Sequence, residues 1–214
     1  MDTKTWMLVY SDGNAKEILQ SQPKLNREIS VELANTLFPS KKFIPVEDGN
    51  LLFTSPPKNR LYIGSFPGMS IISSDAVALD YPSQLPHSLI NTDLGNTLYL
   101  FAMHSVAEWF AYAIWENGRL VRSLSISGPD RELLEDIGPK QPFEKFYWSE
   151  GHPLFSDPEK ENYSPFNFDP LDLGNAALNE YLGYRIEGDS DSSPIDPRKI
   201  PLVGLQKLPW WKIL

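Results

Sequence analysis

Residues 97–127 read TLYLFAMHSVAEWFAYAIWENGRLVRSLSIS, and the reading of this stretch decides the fold. Asn117-Gly118 lies between two runs rich in aromatic and β-branched residues. That dipeptide suits a two-residue type I′ turn, because both central positions of the turn need φ > 0. Folding the chain there pairs Trp115 with Leu120, Ala113 with Arg122, Ala111 with Leu124 and Trp109 with Ile126 on one side. Glu116 with Arg119, Ile114 with Val121, Tyr112 with Ser123 and Phe110 with Ser125 share the other. The side bearing both tryptophans is the more apolar. It is expected to face the core, with large residues opposite small ones in the middle rows.

Working outward, residues 97–103 form a strand that leads into this hairpin. Further upstream, Pro67-Gly68 separates two short apolar runs and predicts a second hairpin. Asp48-Gly49 predicts a looser one. The connection at 81–96 contains a helical turn near 88–91. At the start of the chain, residues 5–10 are a continuous apolar run ending in Ser11-Asp12-Gly13, a buried strand followed by a turn. Two helices follow. One covers 14–20, with Asp12 as its cap. The other is capped by Asn26, carries Ile29, Leu33 and Leu37 at i, i+4 and i+8, and is stopped by Pro39.

Downstream of Gly138 the texture changes. Ten of the nineteen prolines lie in residues 139–214, which predicts extended wrapping more than regular structure. The aromatic segment 142–148 is suited to covering a sheet. One helix is expected near 171–182, ended by Gly183, with a last strand at 184–186. Residues 188–194 read as a polar loop, and the apolar tail with Trp210-Trp211 as docking back on the domain or meeting a partner, with docking back favoured. The fold class is therefore α+β. It has a largely antiparallel sheet with a central aromatic hairpin, two N-terminal helices and one C-terminal helix. Residues 1–214 form a single domain in this reading, 1–138 being the compact core and 139–214 the proline-rich wrapping region.

Composition narrows the functional classes. A chain of 214 residues with 41% hydrophobic and 22% charged residues can bury a core without staples. Nineteen basic against twenty-eight acidic residues give a formal charge of −9, a field that repels nucleic acid and anionic membranes. The absence of cysteine removes disulfides and thiolate chemistry and fits a reducing cytoplasm. The N-terminus has no secretory pattern, and no apolar run reaches the length of a membrane span. The three histidines, His87, His104 and His152, show no metal-ligand spacing. No cofactor motif is present. Glu132, Glu135 and Asp136 read as a solvated charged face.

One neighbourhood can hold polar chemistry. His104, Ser105 and Glu108 lie in the connection before the hairpin, and the register above points Arg122 toward the tryptophan face. A buried guanidinium there needs a carboxylate or carbonyl partner. Glu108 is a candidate for that role. The functional reading is a small anion-recognising or acid/base site of His104, Ser105, Glu108 and Arg122. The structural reading places Arg122 at a sheet edge, snorkelling and stacked on tryptophan.

Residues 102–127, followed by LEDIG at 134–138, PFE at 142–144, YW at 147–148, GHP at 151–153 and LDLGNAAL at 171–178, resemble a family of uncharacterised bacterial proteins, a domain of unknown function. The opening KTWMLVYSDGNAKEIL is similar as well, so the resemblance spans nearly the whole chain. It implies a bacterial cytoplasmic origin and a single domain, and no catalytic residue or cofactor. Two functional expectations follow. The first is a non-enzymatic module that binds a protein partner, of the immunity or scaffold kind, with an acidic surface suited to a basic partner. The second is a small-molecule sensor or enzyme using a pocket near His104, Glu108 and Arg122.

Overall fold

A computed structural model of the chain describes residues 3–128, 132–149, 166–186 and 193–208. Among these residues the strands are β1 (Lys4–Ser11), β2 (Phe43–Pro45), β3 (Gly49–Asn50), β4 (Arg60–Phe66), β5 (Met69–Ser73), β6 (Thr97–His104), β7 (Trp109–Glu116), β8 (Arg119–Ser127), β9 (Glu132–Ile137) and β10 (Pro201–Lys207). Nine of them run side by side in the order β2-β10-β4-β5-β1-β6-β7-β8-β9, and β3 also pairs with β10. Every pairing is antiparallel. The helices are α1 (Ala15–Gln20), α2 (Arg27–Leu37), α3 (His87–Ile90) and α4 (Pro170–Leu182). The fold is α+β, as the run of strand and helix signals predicts.

Both faces of the sheet are covered, which explains why central strands read as unbroken apolar runs. In β7 every residue from Trp109 to Trp115 is buried. On one face Phe110, Tyr112, Ile114, Leu124 and Ile126 pack with α1 and α4. On the other, Trp109, Ala111, Ala113 and Trp115 pack with Leu33 and Ala34 of α2 and with Leu85 and Leu89 of the 81–96 connection. Each large side chain removed from water in this way contributes roughly 1.5–3 kcal/mol. The two aromatic tiers on β7 therefore hold both layers to one strand. Helix α4 comes unusually near the sheet at Gly174, where a Cβ would lie 2.7 Å from Met103 Sδ and 2.9 Å from Phe110.

The opening hairpin forms at Asn117-Gly118, with φ of +49° and +76°. Its first two pairs, Trp115 with Leu120 and Glu116 with Arg119, are those expected. The register then slips at a β-bulge. Ile114 faces Arg122, Ala113 faces Ser123, Tyr112 faces Leu124, Ala111 faces Ser125, Phe110 faces Ile126 and Trp109 faces Ser127. Val121 is the extra residue, and a one-residue slip turns every later side chain of β8 over. Leu124 and Ile126 thereby join Tyr112 and Phe110 beneath α4. Ser123 and Ser125 take the tryptophan side, where Ser125 Oγ accepts the indole N–H of Trp109 at 3.2 Å. Arg122 moves to the face opposite the one expected.

Other expectations hold or are corrected locally. The Pro67-Gly68 hairpin joins β4 to β5, with Gly68 at φ +72°. Asn26 caps α2 as predicted, but Asn14 rather than Asp12 caps α1. On α2 the buried stripe is Ser30, Leu33 and Ala34, while Ile29 is half exposed. The pieces around Asp48-Gly49 do not pair with each other, because both β2 and β3 pair with β10. Strand β10 sits between β2 and β4, inside the sheet rather than wrapped around it. Gly204 in β10 allows residues 46–48 to cross it, since a Cβ there would lie 2.0 Å from the Glu47 carbonyl oxygen. Residues 184–186 form no strand, and Tyr184 is instead a fully buried plug beneath α4. His152, the 188–192 part of the polar loop and Trp210-Trp211 lie outside the described residues.

Candidate functional site

The four residues expected to share a site are distributed along the hairpin. His104 lies level with Trp109 in the β6–β7 pairing, whereas Arg122 lies level with Ile114. Five residues of strand separate those levels, roughly 17 Å at the usual rise. Strand alternation also puts His104 on the tryptophan face, edge-on to Trp6 with ring centroids 6.1 Å apart. Ser105 ties down the N-terminal residues: its hydroxyl accepts the Thr3 N–H at 2.8 Å, and its own N–H donates to the Thr3 carbonyl at 2.9 Å. Glu108 closes the β6–β7 turn with φ +44°. The constellation of His104, Ser105, Glu108 and Arg122 is therefore not assembled.

Arg122 belongs to a different cluster, one that the sequence reading missed. It is wholly buried, as is Glu144 in a short 3-10 turn at Pro142–Phe146. Arg122 Nε donates to Glu144 Oε1 at 2.8 Å and Nη2 to Oε2 at 2.7 Å, a bidentate fork. Its Nη1 donates to Asp136 Oδ1 and to the Ile137 carbonyl at 3.0 Å. Glu144 also accepts the Tyr112 hydroxyl, the Gln141 N–H at 2.9 Å and the Trp148 indole N–H at 3.2 Å. Five donors thus converge on one carboxylate. Burial pulls the Arg122 pKa down, but the bonds from Glu144 and Asp136 outweigh it and leave the guanidinium more firmly charged than usual. The Tyr112 phenol is pushed well above the ordinary tyrosine value, first by burial and then by the Glu144 charge.

This cluster pins residues 132–148 onto the sheet. Of the carboxylates expected as a solvated face, Glu132 is exposed, whereas Asp136 takes part in the cluster and Glu135 lies beside it. Asp136 pairs with Arg122, and Glu135 is buried, accepting the Ser83 N–H at 3.0 Å and the hydroxyls of Ser83 and Ser123. The signals for Glu144 were faint: Gln141-Pro142 opening a turn, and a buried arginine in need of an acid. Nothing local ties position 122 to position 144.

An open concavity lies at the other end of the hairpin. Among the described residues, Glu108, Gly128 and residues 166–170 line a cavity of about 260 Å³. Glu108 crosses over Gly128, where a Cβ would fall 2.5 Å from Glu108 Cβ, and the Gly128 N–H donates to the Glu108 carbonyl at 2.7 Å. Phe166 and Phe168 are buried with ring centroids 5.2 Å apart. Asp169 caps α4, accepting the Leu171 N–H at 2.8 Å. Of the four expected site residues, Glu108 alone borders this cavity. Among the described residues no group of three or more His, Asp or Glu is arranged to hold a metal ion. No helix among them is long and apolar enough to cross a membrane.

The chain belongs to a family of unknown function, DUF6928, whose model matches residues 5–205. No curated protein and no solved structure matches it.

Proposed function

We propose that this protein is a non-enzymatic module that binds a basic protein partner, of the immunity or scaffold kind, in the bacterial cytoplasm. The observation that carries this reading is where the charge goes. Arg122, Glu144 and Glu135 are consumed in internal bonds. Arg122 and Glu144 cancel each other as a pair, so the excess of acidic residues behind the −9 lies outside that pair. Such a surface steers a basic partner toward it and raises the association rate at low salt. The lack of cysteine accords with a reducing compartment.

The test is capture of a partner by the full chain from the cells that encode it, followed by titration of the purified pair across a salt series. A saturable partner with an excess of Lys and Arg, bound more weakly as salt rises, is the expected result. A captured partner whose affinity ignores salt, or failure to capture any saturable partner, overturns the reading. A second reading, a small-molecule sensor or enzyme, retains from its expected set only Glu108 and the cavity beside it.

A further inference from the structure

We infer that the corner where β2, β10 and β4 meet docks on a membrane surface rich in anionic phospholipid. This goes beyond the partner reading above and does not rest on it.

Three segments far apart in sequence build the corner. Lys207 at the end of β10 lies level with Phe43 of β2, and its N–H donates to the Asn59 carbonyl at 2.7 Å. The Leu208 N–H donates to the Lys42 carbonyl at 2.8 Å. Lys41, Lys42, Lys58, Arg60 and Lys207 are thereby gathered at one end of the sheet. The first three are exposed, and Arg60 and Lys207 are half-buried. Among the described residues none of these cations forms an ion pair, and Lys207 Nζ rests 5.7 Å from the centre of the Phe38 ring.

Like charges gathered in this way repel one another, and an external anionic surface relieves that repulsion. The formal charge of −9 opposes such contact for the chain as a whole. Screening limits the opposition, because exposed charges more than about 8 Å apart are largely hidden from each other at physiological salt. Glu47 and Asp48 cross β10 at Gly204, three residues from Lys207 and so roughly 10 Å along the strand. Asp48 is also paired with Arg27. Asp75 follows β5, on the side of β4 away from Lys41 and Lys42.

The residue types select the occupant. All but Arg60 are lysines, which carry a hydrated point charge on a flexible stem, whereas an arginine fork matches one carboxylate or phosphate. Lysine is also depleted in protein–protein interfaces. A cluster of about 4–8 cations suits the diffuse charge of a headgroup layer. Phe38 and Phe43 are half-buried edge-on to each other, with centroids 6.2 Å apart, instead of being presented for stacking on nucleic-acid bases. Ile44, 41% exposed, and the exposed Pro45 lie beside the lysines on the edge strand β2 and offer apolar surface to the acyl boundary. The sequence continuing from Leu208 reads PWWKIL, and tryptophan is enriched at bilayer interfaces.

The experiment sediments the full chain with vesicles of phosphatidylcholine alone, or of phosphatidylcholine and phosphatidylglycerol in equal parts, across a salt series. Partition onto the mixed vesicles is expected to fall as salt rises, and to be weaker by about tenfold or more on phosphatidylcholine alone. Lys41→Gln with Lys42→Gln should weaken partition onto the mixed vesicles by about tenfold or more without moving the thermal midpoint. Lys58→Gln with Arg60→Gln tests a second segment of the corner should the first pair fold poorly. Arg198→Gln with Lys199→Gln removes the same charge near the opposite end of β10 and should change partition by less than about twofold. Equal partition onto both vesicle types, no partition, full partition in both corner variants, or an equal loss in the Arg198 and Lys199 variant overturns the docking. Salt-sensitive binding of a single-stranded oligonucleotide or a polyglutamate peptide, tighter than binding to the mixed vesicles, assigns the corner to another polyanion and overturns it too. No protein partner enters these measurements, so this reading and the capture reading fail separately.

Discussion

Glu144 and Glu108 are two carboxylates at opposite ends of the same β7–β8 hairpin, and they have opposite fates. Glu144 is sealed, and every contact it makes comes from its own chain, through Arg122, Tyr112, Gln141 and Trp148. Glu108 sits at the rim of a cavity, braced from behind by the backbone of Gly128. A charge enclosed by matched donors becomes structure, because removing any donor strands the remainder in a low dielectric. The Glu108 side chain is exposed, so water is left to solvate its charge.

The largest expected effect comes from opening the sealed end. Arg122→Ala should lower the unfolding free energy by about 3–5 kcal/mol in urea titrations, since it leaves Glu144 buried without its counter-charge. Replacing both partners, Arg122→Met with Glu144→Leu, often restores stability for an isolated buried pair. Here it should recover only part, because the Tyr112 hydroxyl and the Gln141 N–H lose their acceptor. Full recovery would show that the surrounding bonds carry no weight.

A smaller effect is expected from the phenol in the same cluster. Tyr112→Phe removes one of five donors and should cost about 1–2 kcal/mol. The alkaline limb reports the same group. Burial and the Glu144 charge raise the folded Tyr112 pKa above its unfolded value, so its contribution is complete below pH of about 10 and is lost as pH rises beyond it. Tyr10 and Tyr184 are raised by burial and act in the same direction. Phenolate absorbance should therefore show these three ionising together with unfolding rather than before it.

The exposed pair Arg27–Asp48 provides a control, with side chains 58% and 38% exposed. A double-mutant cycle should give less than about 1 kcal/mol. The hydrogen bond from Arg27 holds the Asp48 carboxyl below its usual range. That small contribution is present above the ordinary carboxylate pKa of about 4 and fades as pH falls through the lower folded value. The smallest effect belongs to the open end. Glu108→Gln should change stability by no more than about 0.5 kcal/mol, and a larger loss in chemical denaturation would place Glu108 with Glu144 as structure.

The sheet was largely legible, and the site was not. Asn117-Gly118, Pro67-Gly68, the Asn26 cap and the Gly183 stop are local chemistry, and each appears where the residues indicate. Strand β10 was obscured by the prolines around it, and its neighbours β2 and β4 come from more than 130 residues earlier. The bulge at Val121 carries no turn signal of its own. It coincides with Gly138, whose φ is +81° and where a Cβ would lie 2.1 Å from the Val121 carbonyl oxygen. That encounter depends on β9 already lying beside β8. Missing it reversed the face of Arg122 and misplaced the expected site.

What the amino-acid sequence alone determined was the reversals at Asn117-Gly118 and Pro67-Gly68, the Asn26 cap and the Gly183 stop, the two tryptophans turned inward on β7 and the mixed class of fold. Those follow from φ preferences and from the two-residue period of a strand, which neighbouring residues settle among themselves. Only the tertiary structure decided which acid meets Arg122 and which end of the hairpin stays open. Both depend on segments distant in sequence packing against one strand, and no short stretch encodes that packing.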